Sequence, residues 1–579
     1  MVSIGCKNEG LEAHGKNHNH LVFQTCRIVH LVASFALPHR VCYFMGSLFR
    51  MELPMNLSNY LAGQWIEGSG PGTPLVDPVT GDELARISSD GVDLKTALEF
   101  ARAQGGPALR QLSYTQRADL LAKIGEMLSA YRDEYFRLSL LNLGATQADA
   151  SFDVDGALYT VKYYAKIGRA LADGKMLKEG AAASLSKTGV FAGQHFLVPT
   201  KGAAVFINAF NFPAWGFCEK AAPALLSGVP VLVKPASPTA WVAHKMVEDV
   251  VKSAILPPGA ISLVCGSARE LLDHVREEDI VSFTGSADTG ARIRTHSKVV
   301  RRSVRVNIEA DSINSAILGP DCAPGSDLFD LLVKEILKEI TLKAGQKCTT
   351  IRRVFATRQT LKGLGEAVSA RLSATKVGNP RNSEVKVGPV VNKAQQSACL
   401  EGLKKLRSEC SVVFGGNDHF EPVDADPQKS AFVQPTLLAS NDGLASKYVH
   451  DVEVFGPVVT LVAYDSPKDL VPMVRRGSGS LVASIFSNDS AFLQEVILGL
   501  GDLHGRILAV DSSVGAQHTG HGNVVPSCLH GGPGRAGGGE ELAGLRALLL
   551  YHRRFVVQGP VNCIKELSGL SADTNLLYS

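Results

Sequence analysis

The sequence predicts an α/β fold organised around a doubly wound parallel sheet, and three observations carry that prediction. Short continuous apolar runs recur at 202–208, 229–234, 261–265 and 280–283, the pattern of strands buried on both faces. Between the second and third run, residues 240–256 place Val242, Met246, Val247, Val250, Val251 and Ile255 on one helical face. Ser237-Pro238-Thr239 starts that helix and Pro257-Pro258-Gly259 stops it. Repeated strand–helix–strand units of this kind put a ligand at the C-terminal ends of the strands.

The 579 residues are enough for two or three domains with large cores, and 45% hydrophobic with 20% charged residues describes an ordinary globular chain. Residues 1–50 hold five basic and two acidic residues, which accounts for the whole net charge of +3. The body is therefore neutral, which excludes a nucleic-acid surface and a polybasic membrane contact. The first segment also carries five of the 16 His and three of the 11 Cys, without a sustained apolar period. Its best apolar run, residues 31–37, is too short to span a bilayer and lacks the order of a signal peptide. Residues 10–17 nearly fit a phosphate loop, but Asn17 stands where the metal-binding Ser or Thr belongs. Met51 reads as a natural start, so residues 1–50 are expected to be a disordered extension. The 11 Cys contain no CxxC and no zinc-ligand spacing, so no metal is expected, and a reducing, cytoplasmic location is.

From about residue 55 strand and helix alternate. After Asn314 a second alternating region begins, with residues 315–318 as strand and 328–342 as helix leading to Cys348. Polar, Gly/Pro-rich connections run through 378–384 and 415–429. Residues 531–539, with Gly at six of nine positions, read as a flexible loop before a helical stretch and a strand at 554–558.

Cys348 lies in Gly345-Gln346-Lys347-Cys348-Thr349, a turn after a helix. A thiol that attacks an aldehyde forms a thiohemiacetal, which becomes a thioester on losing hydride to a nicotinamide. Alone, such a Cys reads more simply as a buried structural thiol. Glu309 ends the apolar run 306–310, where a carboxylate is costly unless paired, solvated or protonated. It reads as a salt-bridged side chain or as a general base whose pKa is raised by partial burial. Asn211, before Phe212-Pro213, serves its own turn or donates its amide to an oxyanion beside the Cys348 N–H. The turn Phe283-Thr284-Gly285-Ser286 follows a strand and can open a helix, the placement a nucleotide phosphate needs, with Gly290 further along. Lys234 leaves a buried strand toward the presumed cofactor edge, and Glu453-Val454-Phe455-Gly456-Pro457 supplies a carboxylate for a ribose and an aromatic beside a nicotinamide.

Taken in order, Asn211-Phe-Pro, Lys234-Pro, Phe283-Thr-Gly-Ser286, Glu309, Gly345-Gln-Lys-Cys348 and Glu453-Val-Phe-Gly-Pro457 resemble the aldehyde dehydrogenase superfamily over residues 55–560. The resemblance implies Cys348 as nucleophile, Glu309 as base and Asn211 as oxyanion donor. It implies cofactor contacts at Phe210, Lys234, Ser237, Thr284, Gly285, Ser286 and Gly290, and at Glu453 and Phe455. It also implies a Rossmann-type NAD(P)-binding domain (51–178 and 200–311), an α/β catalytic domain (312–547) and a small β bridging element (179–199 and 548–579) that builds homodimers or homotetramers. Two positions depart from the family pattern. Glu309-Ala310-Asp311-Ser312 replaces Glu-Leu-Gly-Gly, and Ser237 stands where Glu often binds the free ribose hydroxyls. Ser admits a 2′-phosphate and Lys234 supplies charge, so NADP is expected over NAD. The tail 519–542 is similar to the branch that oxidises CoA-thioester semialdehydes in aerobic degradation of aromatic rings. A CoA-acylating dehydrogenase is the rival enzyme class, disfavoured by retention of Glu309, and a non-enzymatic scaffold is the third reading.

Overall fold

The computed structural model describes residues 55–268, 270–417 and 420–575. The extension and near phosphate loop read in residues 1–50 lie outside the described residues. Two seven-stranded sheets dominate. The first runs Arg305–Glu309, Ile280–Thr284, Ala204–Ile207, Val231–Lys234, Ile261–Leu263, Asn59–Leu61, Gln64–Ile66. Its first five strands are parallel and the last two antiparallel. In chain order the parallel strands read 5-4-1-2-3, so the winding reverses beside Ala204–Ile207, where an open α/β sheet forms a crevice.

The second sheet runs Cys410–Phe414, Thr436–Ser440, Val458–Tyr464, Ile351–Thr357, Asn314–Leu318, Ser480–Phe486, His504–Val510, parallel except at the Cys410–Phe414 edge. Its central strands Asn314–Leu318 and Ser480–Phe486 are buried at every residue, as strands covered on both faces are. A four-stranded sheet joins Met176–Ser184 and Phe191–Pro199 to His552–Pro560 and Ser571–Asp573.

The expected elements are present with shifted ends. The helix read over 240–256 covers Ala240–Ser253, and Ser237–Thr239 forms a 3-10 turn ahead of it. The helix read over 328–342 is Asp327–Thr341, with the Ser326 side chain accepting from the Phe329 N–H. Residues 531–539 correct the sequence reading. They are not a free loop but the pinned connection of a hairpin, Leu529–Gly531 with Glu540–Leu542. Gly539 N–H donates to Ile308 O at 2.9 Å, and Ala310 N–H donates to Ala536 O at 2.9 Å. A Cβ at Gly537 or Gly539 would lie 2.4 Å from that same Ile308 carbonyl. The glycines serve close backbone approach, which has the same composition as flexibility.

Candidate active site

Cys348 is delivered by a left-handed turn. The helix Asp327–Thr341 is followed by three residues with positive φ: Lys343 at 54°, Ala344 at 49° and Gly345 at 67°. Two of them carry side chains in a region that disfavours them, so surrounding contacts must hold the turn. Asp149 Oδ1 accepts from the Lys343 N–H at 2.6 Å. Arg352, buried, donates to the carbonyls of Gly345 and Gly456 at 3.0 and 2.8 Å. Asn314 Nδ2 donates to Cys348 O at 2.7 Å and Thr350 O at 3.0 Å. A Cβ on Gly345 would sit 2.3 Å from Gly456 O, so only glycine fits.

One helix, Gln147–Gly168, grips both active-site turns. Asp149 holds the Cys348 turn, and Asp153, one helical turn later, accepts from the Trp215 N–H at 2.8 Å behind Asn211-Phe212-Pro213. Asn211 Nδ2 then donates to Gln346 O at 3.0 Å, which ties the Asn directly to the cysteine loop.

Glu309 ends the strand Arg305–Glu309, with its side chain 2% exposed. Its Oε1 lies 3.1 Å from His530 Nε2, and Thr284 Oγ1 donates to Oε2 at 3.4 Å. Burial works to raise this carboxyl. A protonated His530, together with Lys220, outweighs it and holds Glu309 at about 2, which corrects the expectation of a raised base. Glu309 is therefore ionised at neutral pH. Cys348 Sγ lies 4.0 Å from His530 Nε2. Burial pushes the Cys348 thiol well up, and Glu309 pushes it further.

Asn211, Glu309 and Cys348 line one small cavity of about 10 Å³. Two larger cavities meet at Cys348. One, about 620 Å³, lies outside the carboxyl ends of the first sheet. It is lined by Phe210, Lys234, Ser237, Thr284, Gly285, Ser286, Glu453 and Phe455, which brings all but one of the expected cofactor residues together. Gly290 is the exception. It sits inside the helix Ala287–Thr295, where a Cβ would meet Ile308 Cγ2 at 3.0 Å, so its smallness serves helix-on-strand packing. The other cavity, about 680 Å³, is walled by Phe152, Tyr159, Phe212, Trp215, Val524 and Pro526.

The cofactor-side cleft fits a dinucleotide in several respects. Lys234 and Ser237 stand together at the end of Val231–Lys234, and burial lowers the Lys234 ammonium. Phe210 and Phe455 meet edge to face at 5.7 Å beside the Cys348 turn. Glu453 Oε2 accepts from the Ser312 N–H at 3.2 Å, and burial raises its carboxyl to about 7 although Arg352 stands 3.7 Å away. Asp311, one of the departures from the family pattern, accepts from the Ala287 N–H at 2.9 Å and so caps the helix that Ser286 opens.

Several groups at the site were missed in the sequence. Lys220 Nζ lies 2.6 Å from Glu219 Oε1 and 2.9 Å from Glu541 Oε2, all buried. Glu541 Oε1 accepts from Ser282 Oγ at 2.9 Å and from Asn307 Nδ2 at 3.0 Å. Burial opposes charge on Lys220, but the two carboxylates outweigh it and keep it protonated; burial pushes Glu219 well up. One oxygen from each of Glu219, Glu309 and Glu541 falls within 4.8 Å of the others. Glu219-Lys220 was findable as an adjacent charged pair in an otherwise apolar helix, Trp215–Leu226. His530 and Glu541 were not, because only the hairpin pairing brings them to the site.

Comparison with known proteins agrees with this geometry. The chain is 65% identical over 479 residues to 3,4-dehydroadipyl-CoA semialdehyde dehydrogenase of Aromatoleum evansii, covering 83% of this chain and 93% of that one. Lactaldehyde dehydrogenase from Escherichia coli superposes with a TM-score of 0.76 at 23% identity, over 87% of this chain and 99% of its own. Betaine aldehyde dehydrogenase from Staphylococcus aureus, in complex with NAD+, gives 0.75 at 22% identity, over 88% and 96%. Residues 65–514 match the aldehyde dehydrogenase family, and on that match and the relative from Aromatoleum evansii this chain belongs to it.

Proposed function

We propose that this protein oxidises a CoA-thioester semialdehyde, 3,4-dehydroadipyl-CoA semialdehyde, to the carboxylic acid in aromatic-compound degradation, with NADP as the preferred cofactor. The observation that carries the reading is Cys348 at the junction of two large cavities with Asn211 and Glu309 beside it, in a chain 65% identical to an enzyme named for that substrate.

Lys234 and Ser237 would hold the adenosine end of the cofactor, Thr284, Gly285 and Ser286 its phosphates, and Glu453, Phe455 and Phe210 its nicotinamide half. The nicotinamide supplies the hydride acceptor. Cys348 attacks the carbonyl carbon that arrives through the aromatic-walled cavity. Asn211, with one amide N–H already fixed on Gln346 O, offers the other to the oxyanion together with the Cys348 N–H. The acyl group then rests on sulfur as a thioester. Glu309, ionised and buried, takes a proton from water in the small shared cavity, and the hydroxyl oxygen displaces the thiolate.

The division into 51–178 with 200–311, 312–547, and 179–199 with 548–579 is part of this proposal. So is a homodimer or homotetramer, supported by Val190, Phe191, Phe555 and Val556 exposed on or beside the four-stranded sheet. Cytoplasmic residence is supported by free thiols at all eight described cysteines. No helix among the described residues is long and apolar enough to cross a membrane.

The test is cofactor reduction with the CoA-thioester semialdehyde against the free aldehyde, each with NADP and NAD. Faster turnover of the CoA ester with NADP, giving free acid without added CoA, is the expected result. A preference for NAD would reject the cofactor assignment, and acyl-CoA formation dependent on added CoA would reject hydrolysis.

A further inference from the structure

His530 belongs to the strand Leu529–Gly531 and pairs with Glu541 across the hairpin, so both side chains project from the same face toward Glu309. The imidazole is buried, and Trp215 packs edge to face against it at 5.5 Å between ring centres. Nε2 stands 4.0 Å from Cys348 Sγ and 3.1 Å from Glu309 Oε1, and the three atoms lie within 4.8 Å of one another. The Glu309 oxygen that faces the ring accepts no hydrogen bond of ordinary geometry, so it is placed to receive the N–H that forms once Nε2 has taken a proton.

We propose that His530 is a catalytic residue of this chain, the proton acceptor that converts Cys348 to its thiolate, with Glu309 Oε1 holding the imidazolium that forms. The inference rests on the reading of Cys348 as nucleophile. It answers a problem set by the surroundings. The thiol is desolvated, and the ionised carboxylate that weighs most on it, Glu309, opposes a thiolate. A neighbouring imidazole that gains a positive charge as the sulfur gains a negative one removes that opposition. The groups facing the imidazole are Cys348, Glu309 at the end of its strand, Glu541 across the hairpin, and Glu219 and Lys220 from the helix Trp215–Leu226.

The protons balance. The S–H bond breaks and an N–H bond forms at Nε2. The sulfur lone pair then makes the C–S bond to the aldehyde carbon. When water attacks the thioester, its proton goes to Glu309, the C–S bond breaks, and the departing thiolate recovers the proton held on Nε2.

The test compares His530→Gln, which can still hydrogen-bond Glu309 but takes no proton, with the unaltered enzyme. The pH dependence of Cys348 alkylation by iodoacetamide is followed by peptide mass, and the pre-steady-state burst of cofactor reduction is recorded. Cofactor binding confirms that each variant is folded, and His530→Asn repeats the measurement if the Gln chain does not bind it. The expected result is alkylation at pH 7 slowed about tenfold or more, a midpoint moved up by about one pH unit or more, and a slowed burst. An unshifted alkylation profile in His530→Gln, with Cys348→Ala inactive, would overturn this proposal alone. A Cys348→Ala enzyme that still turned over aldehyde would overturn the nucleophile reading and this proposal together.

Discussion

The two large cavities that meet at Cys348 are nearly equal in volume, about 620 and 680 Å³, and differ in their linings. The proposed cofactor side sets charged groups from the strand ends and the loops beyond, among them Lys234, Glu309, Asp311, Glu453 and Arg535, beside apolar ones such as Ile207, Phe210 and Phe455. The proposed aldehyde side is walled more by aromatic and aliphatic side chains, including Phe152, Phe212, Trp215 and Val524, with Asp155 and Lys338 as its charged groups. On the proposed reading one wall holds an anionic carrier and the other strips water from a neutral carbonyl. Cys348 belongs to both linings, so the sulfur sits where the requirements change over.

The strongest way to break this comparison is to remove the shared atom. Cys348→Ala should lower turnover by about 1000-fold or more while cofactor affinity stays within a factor of about two, because only the junction is altered. A retained rate, measured by cofactor reduction, would separate the two cavities functionally. Next in size is Glu309→Gln. Turnover should fall by about 100-fold or more, yet a single burst of hydride transfer should persist, since the acyl-enzyme forms but is not hydrolysed. Loss of both burst and turnover would assign Glu309 to the first half of the reaction instead.

Two changes sharpen the contrast between the walls. Ser237→Glu should shift the NADP-to-NAD ratio of kcat/KM toward NAD by about tenfold or more, through repulsion of a 2′-phosphate, with the aldehyde KM unmoved. Trp215→Ala should do the reverse, weakening kcat/KM for aldehyde by about tenfold while the cofactor KM stays put. Either change moving both parameters equally would show that the walls are not independent.

The smallest effect concerns Glu453, whose carboxyl is raised to about 7 by burial. The folded chain binds this proton more tightly than the unfolded chain. Stability therefore falls as pH rises from about 4.5 to 7, by on the order of 1–3 kcal/mol. Glu453→Gln should flatten that part of a thermal-unfolding profile against pH; an unchanged slope would mean the site relaxes around the charge.

Much of this was legible in the chain. The strands at Ala204–Ile207 and Ile280–Thr284 announce themselves as short unbroken apolar runs because both sheet faces are covered. Glu309 stands out because a carboxylate ending such a run is expensive. What sequence reasoning lost depends on distance along the polymer. The direction of the Glu309 shift required His530, more than two hundred residues away in the chain, and the Lys220 pairing required Glu541. The run Gly531–Gly539 was misread because close packing and freedom both select glycine, and only the Ile308 carbonyl against Gly537 and Gly539 tells them apart.

That same hairpin has a consequence for how the enzyme comes into being. The strand bearing Glu309 is clamped by Ala536 and Gly539, and Asn307 is bonded to Glu541, so segments separated by over two hundred residues must close before the carboxylate is fixed in place. Loop closure over such spans is slow compared with local helix formation. A growing chain would thus complete both large sheets' inner strands first and acquire competence only as its final portion docks. Newly made protein would spend its earliest moments built but inert, with Cys348 set in its turn and Glu309 still waiting for its clamp.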